Sequence, residues 1–427
     1  MKKNLVIFIV ILAAILVLTA CGAPAANNTG NQSAAGENSG NDGPSGKITF
    51  FYWDENQKPG MEKVIELLKA DAPAVEVEST IIPWGQYWTK LQTSLPSSSE
   101  PDVFWLNYSH AIDYYPAGLC QEISTYIQRD DVDMSPFPEA LNKMYSYEGK
   151  QYSIPKDYDT IALFYNKALF DAQGLDYPTD TWTWSDLKDA AIMLTDGTNY
   201  GFVATPSTQE TVYSWVLSNE GTLISDDLSR FTFNNPNTIE AIQWLVDAMY
   251  VHKFSPDAAS QLEIEAEDLF MSGRIGMVTG GSWNVPPFFE ALEDNLGVAR
   301  LPIAKKEANV IHGLGITMSS RSTNKEAAWA LMRAFATQAA GEAQASVVIP
   351  AYKGSEEVWI KNFPSLNLKV FIDAAKYAVA IPTAYTASDA QDTVVGDALQ
   401  SVWLQDEDIA AAVARIDAEC AALADGK

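Results

Sequence analysis

Three short segments of the sequence place an aromatic side chain beside hydrogen-bonding side chains. They are Trp53-Asp54, the run Asn107-Tyr108-Ser109-His110, and Trp283 within residues 280–284. A pyranose ring has an apolar C–H face that stacks on an aromatic ring, while its hydroxyl groups need fixed donors and acceptors. The three segments therefore predict a site for a sugar. Because no arginine or lysine stands in them, we favour a neutral polyhydroxyl ligand over a phosphorylated one.

The sequence contains 12 tryptophans and 18 tyrosines, and many of these rings must belong to the apolar core. Trp53 and Trp283 follow predicted strands, so we expect these two to face the ligand. We assign to the core the tryptophans that lie within predicted strands and helices: Trp105, Trp244, Trp329 and Trp403.

Asp157 and Asp159 form a pair of carboxylates two residues apart, which face the same side of an extended strand. They could act as the general acid and base of a glycosidase, but that role depends on the distance between the carboxyl groups across a bound sugar. Hydrogen bonding to a ligand and a structural role at a hinge fit the spacing as well. We favour ligand binding.

Signatures of catalysis and of metal binding are missing from the sequence. It has no phosphate-binding G-x-x-x-x-G-K-[ST] loop, no G-x-G-x-x-G and no G-x-S-x-G. Its three histidines lack zinc-site spacing, and the acidic residues at 130–133 lack the glycine and distal glutamate of an EF-hand. We therefore predict no catalytic residue, no cofactor and no metal site.

The elements that would position these residues alternate between strand and helix. Apolar runs predict strands over 48–53, 75–82 and 102–106, and helical spacing predicts helices over 61–70 and 87–95. This βαβαβ order predicts a mostly parallel sheet that is buried on both faces. Ligands of such sheets bind beyond the carboxyl ends of the strands, where Asp54 and Asn107 stand.

A second α/β series follows from residue 161. The chain from residue 47 onward has about 380 residues, enough for two domains. Residues 315–318 and a helix over 325–335 predict a return to the first sheet, so the chain would cross between the lobes more than once. The predicted elements of the second series are strands over 161–165, 275–279 and 298–301, and helices over 184–194, 239–250 and 264–271.

The start of the chain predicts export and attachment. Lys2 and Lys3 precede the apolar stretch 5–18, and Leu18-Thr19-Ala20-Cys21 has the pattern of a bacterial lipobox, in which Cys21 becomes lipidated. A plain secretory peptide is the alternative. Residues 21–46, rich in Gly, Asn, Ser and Ala, predict a flexible linker. We expect a lipid-anchored protein on the outer face of the bacterial cytoplasmic membrane.

The net charge and the cysteine content exclude two further classes of protein. The formal net charge of −27 argues against a nucleic-acid partner. Besides Cys21 only Cys120 and Cys420 remain, too few for a disulfide scaffold. Cys420 continues the apolar stripe of the last predicted helix, so we expect it in the core, and whether it pairs with Cys120 stays open.

The run Gly149-Lys150-Gln151-Tyr152-Ser153-Ile154-Pro155, continued through residues 157–159 and 162–167 to Phe170, resembles the extracellular solute-binding proteins, family 1. These are the ABC-importer binding lipoproteins that include maltose-binding protein. The resemblance extends to Pro101-Asp102-Val103-Phe104 and to residues 270–283, 324–335 and 348–351. It implies an α/β, two-lobed periplasmic-binding-protein-like fold of type II, with mostly parallel sheets, helices on both faces and a hinge between the lobes.

The resemblance also implies roles for single residues. Asp159 falls where maltose-binding protein has a sugar-binding glutamate, and Trp283 resembles a stacking tryptophan of the family. Trp215 resembles an aromatic residue that lines the cleft. Ser109 and His110 fall where maltose-binding protein has a sugar-binding Asp-Arg pair, and Leu106 falls where it has a stacking tryptophan. Because these last three depart from the pattern, maltose itself is not implied.

The predicted function is therefore that of a monomeric, non-enzymatic binding component of an ABC importer. It would bind a neutral oligosaccharide between its lobes and deliver it to the transmembrane subunits of a permease. A non-sugar ligand such as a polyamine or peptide is the alternative, and an extracellular glycosidase is the remote one. We predict one lobe from residues 47–157 and 308–350, and the other, with the C-terminal helices, from residues 158–307 and 351–427.

Overall fold

The structure is a computed structural model that describes residues 43–95, 97, 100–383 and 388–425. The predicted signal peptide, Cys21 and the predicted linker as far as residue 42 lie outside the described residues. Within the described part, no helix is both long enough and apolar enough to cross a membrane.

The strands of the described residues belong to two sheets and one small hairpin. They are, in chain order, β1 (Gly46–Tyr52), β2 (Val75–Ile81), β3 (Val103–Asn107), β4 (Ser146–Tyr147), β5 (Lys150–Gln151), β6 (Ser153–Asp159), β7 (Ile161–Asn166), β8 (Tyr200–Phe202), β9 (Ile275–Gly281), β10 (Leu296–Ala299), β11 (Val310–Met318), β12 (Ile349–Pro350) and β13 (Val379–Ala380).

The α-helices separate and follow these strands. They are α1 (Lys58–Asp71), α2 (Trp84–Ser94), α3 (Tyr108–Tyr114), α4 (Ser124–Arg129), α5 (Glu139–Met144), α6 (Lys167–Gln173), α7 (Trp184–Leu194), α8 (Tyr213–Ser218), α9 (Pro236–Tyr250), α10 (Ala258–Gln261), α11 (Ala266–Met271), α12 (Val285–Leu292), α13 (Lys325–Phe335), α14 (Gln338–Gln344), α15 (Glu356–Asn362), α16 (Lys369–Ala374), α17 (Ser388–Trp403) and α18 (Ile409–Asp425).

The first sheet has the strand order β12-β6-β11-β3-β1-β2, with β13 paired to β11. Its centre is the predicted βαβαβ unit, in which β1 pairs in parallel with both β2 and β3. The second sheet has the order β10-β7-β9-β8. These two sheets, with the helices around them, confirm the predicted α/β fold of two lobes, which we call the first and the second lobe.

Both sheets are mixed, so the prediction of mostly parallel sheets was wrong. In the first sheet β11 is antiparallel to β3 and β6, and in the second sheet β7 is antiparallel to β9 and β10. A parallel neighbour needs a crossover connection, usually a helix. The chain instead enters β7 and β11 from the other sheet, so no helical crossover sets their direction.

The chain passes between the lobes at two places, which are joined by hydrogen bonds. Thr160 alone separates β6 of the first sheet from β7 of the second, and Asn309 directly precedes β11. The Asn309 side chain accepts a hydrogen bond from the Ile161 N–H (2.9 Å) and donates one to the Ile161 carbonyl (2.7 Å). The residue boundaries of the lobes stay a prediction.

The apolar core contains most of the tryptophans that we assigned to it. Trp105, Trp329 and Trp403 are buried as predicted, whereas Trp244 packs against the core of the second lobe and stays partly exposed. Cys420 lies on the buried face of α18, which confirms its predicted place. Cys120 and Cys420 are both buried free thiols.

Candidate functional site

A cavity of about 450 Å³ opens between the two lobes. Its walls are the carboxyl ends of strands in the first sheet, the crossing strands β6 and β11, and turns of the second lobe. This is the place where ligands of open α/β sheets bind.

The first lobe contributes residues that directly follow or end its parallel strands. Trp53 and Asp54 follow β1, and Asn107 ends β3. Asp54 caps the next turn, because its carboxylate accepts hydrogen bonds from the Asn56 N–H and the Gln57 amide, both at 2.9 Å. Asn107 caps α3 in the same way. Capping holds both side chains on the cavity wall with acceptor capacity to spare.

Asp157 lines the cavity and is held in place by bonds within the protein. The buried Lys156 ammonium donates to one oxygen of Asp157 and to the Gln57 side chain (2.6 Å), and it lies 4.4 Å from the centroid of the Trp105 ring. The Leu314 N–H donates to the other oxygen of Asp157 (3.0 Å). Burial raises the pKa of Asp157, and the ammonium opposes that rise. This carboxylate is therefore engaged within the protein on both oxygens.

Asp159 is a polar group with capacity left for a ligand. It is 4% exposed, accepts a hydrogen bond from the Ser282 hydroxyl, and has one oxygen 4.0 Å from Nε2 of His312. Burial, with repulsion from Asp157 as a second cause, raises the pKa of Asp159 to about 8. Burial lowers the pKa of His312 to about 4. Near neutral pH, Asp159 therefore keeps its proton and can donate a hydrogen bond as well as accept one.

The second lobe contributes a π-helical turn at residues 208–212, in which the Val212 N–H donates to the Ser207 carbonyl and the Tyr213 N–H to the Thr208 carbonyl. Such turns are often found at functional sites. On this turn, the Gln209 side-chain nitrogen lies 3.0 Å from Nε2 of His312. Glu210 also faces the cavity, as does Glu267 on α11. Loss of hydration, then repulsion from Glu267, raises the pKa of Glu210 to about 8.

Trp283 lies on the short turn that follows β9. Its half-buried ring lines the cavity and meets the His312 ring edge to face, with the two centroids 5.5 Å apart. The ring lies directly over Gly281, whose missing side chain leaves room for it. A ring with one side packed and one side on the cavity can serve as a stacking surface.

The structure brings six of the predicted residues together on the cavity wall. They are Trp53, Asp54, Asn107, Asp157, Asp159 and Trp283. Whether they contact a ligand stays a prediction.

Four other predicted residues lie elsewhere. Tyr108 and Ser109 begin α3 behind Asn107, and the buried His110 packs its ring against Trp88, with the centroids 3.4 Å apart. Trp215 is 1% exposed and stacks between Trp184 and Phe202 in the core of the second lobe. The assignment of Trp215 to the cleft was therefore wrong, because α8 is packed among other elements on all sides. Among the described lining residues, Asn107 alone represents the 107–110 segment.

Sequence reasoning missed several residues of the wall. Trp84 directly follows the end of β2 and its short connection, so the rule that identified Trp53 would have identified it too. The other missed residues lie in turns, in a helix or inside β11, and none of them has a strand-end signal: Gln57, Ser207, Gln209, Glu210, Glu267, His312, Leu314 and Val348.

The chemistry of this cavity combines aromatic rings with acidic and amide groups. No arginine or lysine stands among its lining residues in the described part of the chain, and the nearby Lys156 is committed to Asp157. The wall therefore offers stacking surfaces, acceptors and donors, but no unpaired positive charge for an anionic ligand.

Comparison with known proteins gives matches along most of the chain. The family model described as bacterial extracellular solute-binding protein matches residues 63–365. A putative binding protein of Brucella abortus is 24% identical over 84% of this chain and 88% of its own length. The galactooligosaccharide-binding protein of Bacillus subtilis is 24% identical over 77% and 75%. Among solved structures, an ABC substrate-binding protein of Listeria monocytogenes in complex with cycloalternan has a TM-score of 0.82 and 26% identity, covering 88% of this chain and 98% of that one.

Proposed function

Because the chain belongs to the bacterial extracellular solute-binding proteins, we propose that it is the binding component of an ABC importer for a sugar. It holds a neutral oligosaccharide in the cavity between its lobes and delivers it to the transmembrane subunits of a permease. Membership of the family confirms the resemblance seen in the sequence. For the lobes we propose the boundaries 47–157 with 308–350, and 158–307 with 351–427.

The observation that carries this proposal is the composition of the cavity wall. Rings of Trp53, Trp84 and Trp283 share one cavity with the polar side chains of Asn107 and Asp159. Aromatic faces suit the C–H face of a sugar ring, and amide and carboxyl groups suit its hydroxyls. The known ligands of two relatives in the comparison, a galactooligosaccharide and cycloalternan, are of this kind.

The charge of the wall favours a neutral ligand over a phosphorylated one. A phosphate group would approach the carboxyl groups of Asp54, Glu210 and Glu267 without a free cation among the described lining residues. Removing such an anion from water without a partner costs several kcal/mol.

We propose further that the protein binds its sugar without cleaving it. Asp157, one of the two candidate catalytic carboxylates, is held by Lys156 and by the Leu314 N–H. A general base must accept a proton from an attacking water, and a carboxylate already bonded on both oxygens is poorly placed to do so. Incubation of the protein with the bound oligosaccharide, followed by chromatography, should return the sugar intact. Release of shorter products would support the glycosidase alternative.

A cationic ligand such as a polyamine is the second candidate, and the acidic wall is the observation that favours it. The protein should be screened by thermal shift against mono- and oligosaccharides, putrescine, spermidine, short peptides and glucose 6-phosphate. A ligand at a hundred times its Kd stabilises the folded state by about 2.7 kcal/mol. A shift with a neutral oligosaccharide supports the proposal, and shifts with polyamines alone would replace it with the second candidate.

Closure of the lobes around the ligand is part of the proposal, since a two-lobed binder contacts its ligand from both sides. Small-angle scattering should show a smaller radius of gyration with saturating ligand than without it. An unchanged radius would contradict hinge closure.

Attachment to the outer face of the membrane through Cys21 is likewise proposed. Cells that express the full-length protein should incorporate labelled fatty acid into it, and a Cys21→Ala variant should remain unlabelled. A protein that begins near Ser45 should fold and bind ligand as the full-length protein does. Equal labelling of the full-length protein and the Cys21→Ala variant would refute the lipid anchor.

A further inference from the structure

Trp84 is the one exposed tryptophan of this protein. All twelve tryptophans lie in the described part of the chain, and Trp84 keeps 51% of its surface accessible while the others are buried or half-buried. Burial of so large an apolar surface is favourable, so its exposure is informative when it occurs at a binding site. Trp84 lines the cavity wall.

The ring of Trp84 is held in place without a ligand. It meets Trp53 at 5.2 Å between centroids and 66° between planes, and it meets Trp88 at 5.4 Å and 88°. Edge-to-face pairs of this kind are favourable arrangements. A ring already fixed by its neighbours loses little conformational entropy when a ligand stacks on it.

Trp84 is the first residue of α2, shortly after the edge strand β2, and this position places it at the outer end of the cavity. Residues at the ends of β3, β1 and β2 all contribute to the wall, namely Asn107, Trp53 and Trp84 in that order. Strand β2 is the edge strand of the first sheet, next to β1. The wall therefore runs outward from Asn107, past Trp53, to the exposed ring of Trp84.

We propose that Trp84 forms an outer subsite of the cavity, where it stacks on a second ring of the ligand, so that the preferred ligand is at least a disaccharide. This inference rests on the proposed function, since it takes the ligand to be a sugar. The inner ring would lie by Trp283 and Asp159, and the second ring would reach the contacting pair Trp53 and Trp84.

The test is a comparison of chain length in four proteins. Isothermal titration calorimetry should be run with glucose, maltose and maltotriose, and with galactose and its β-linked di- and trisaccharide. The proteins are the wild type, Trp84→Ala, Trp84→Phe and the control Met193→Ala, which shortens an equally exposed apolar side chain on α7, away from the cavity wall.

Removal of the ring should weaken binding of the di- and trisaccharide by about 5- to 10-fold, at the lower end of the effect measured for stacking on aromatic side chains. Binding of the monosaccharide should change less than about 2-fold on the same scale. Trp84→Phe should retain most of the affinity, and Met193→Ala all of it.

The outcomes separate this inference from the function on which it rests. If Trp84→Ala leaves the affinity for every sugar unchanged, or lowers it equally for mono- and disaccharides, the outer subsite is refuted while the sugar site stands. If no sugar of either series binds to the wild type, the proposed function is refuted, and the subsite with it.

Discussion

Substitution of Gly281 by alanine should displace the ring of Trp283 and so abolish its stacking surface, although Trp283 itself is not substituted. A Cβ atom at position 281 would lie 1.9, 2.2 and 2.3 Å from three carbon atoms of the Trp283 ring. Carbon atoms in contact are about 3.5–4.0 Å apart, so the ring would have to move by about 1.5 Å or more. The backbone of Gly281, with φ −89° and ψ 177°, accepts any residue, and the effect of the methyl group is therefore purely steric.

The expected loss of affinity follows from the loss of stacking. Aromatic stacking contributes roughly 1–3 kcal/mol to nucleic-acid binding, and on that scale the Kd for the tightest sugar should rise about 5- to 150-fold. Trp283→Ala should have a similar effect. The free energy of unfolding should fall by about 1 kcal/mol or less, because the displaced ring can turn into the open cavity instead of into packed core.

A double-mutant cycle makes this reasoning testable. Titration calorimetry on Gly281→Ala, Trp283→Ala and the double variant should show that the second substitution adds almost nothing to the first, since both remove the same contact. Gly396→Ala on α17 is the matched control, because a Cβ atom there would meet no other atom within 4 Å and the residue does not line the cavity. Additive losses in the double variant would show that Gly281 acts through something other than the Trp283 ring.

Three further predictions concern buried polar groups in or near the cavity wall. Lys156→Met should lower the free energy of unfolding in urea by about 3–5 kcal/mol, because it leaves the buried Asp157 carboxylate unpaired; pairing it with Asp157→Leu should recover part of that loss, and no recovery would contradict the explanation. Since the pKa of Asp159 is raised from 3.8 to about 8, the folded protein holds a proton that the unfolded chain releases, and stability should fall as the pH rises from about 4 to about 8. Asp159→Asn should make that fall shallower, and identical pH profiles would refute the raised pKa. Asn309→Ala should cost about 1–3 kcal/mol for each Ile161 backbone group left unpaired, again measured in urea, and a loss below 0.5 kcal/mol would mean that water replaces the amide.

Much of the fold follows from local sequence patterns. Helix α7 spans the predicted residues because Thr183 and Asp186 form a capping box and its buried residues recur every three or four positions. Helix α13 also has the predicted bounds. The direction of strand pairing does not follow in this way, since β11 has the same apolar texture whether its neighbours run parallel or antiparallel.

The cavity wall was predictable from two signals, the ends of strands and the pair of carboxylates Asp157 and Asp159. Trp53, Asn107 and Trp283 share the strand-end signal, and Trp84 shares it too although it was overlooked. Trp215 shows the opposite difficulty, because nearly every residue of the short helix α8 is buried and its sequence gives no indication of which side would face a cleft. Residues such as Glu210 come to the wall through the packing of the second lobe, which no local pattern encodes.

Two hydrogen bonds already join elements of the two sheets across the cavity. Ser282, which follows β9 of the second sheet, donates to Asp159 at the end of β6 of the first sheet, and Gln209 is bonded to His312 on β11 of the first sheet. A sugar hydroxyl that enters must replace such bonds, and each exchange changes the free energy little, because a typical hydrogen bond contributes only about 0.5–1.5 kcal/mol net. Polar groups of this wall therefore select the position and orientation of the ligand. Most of the affinity has to come from the aromatic rings, whose faces are hydrated until a ligand covers them.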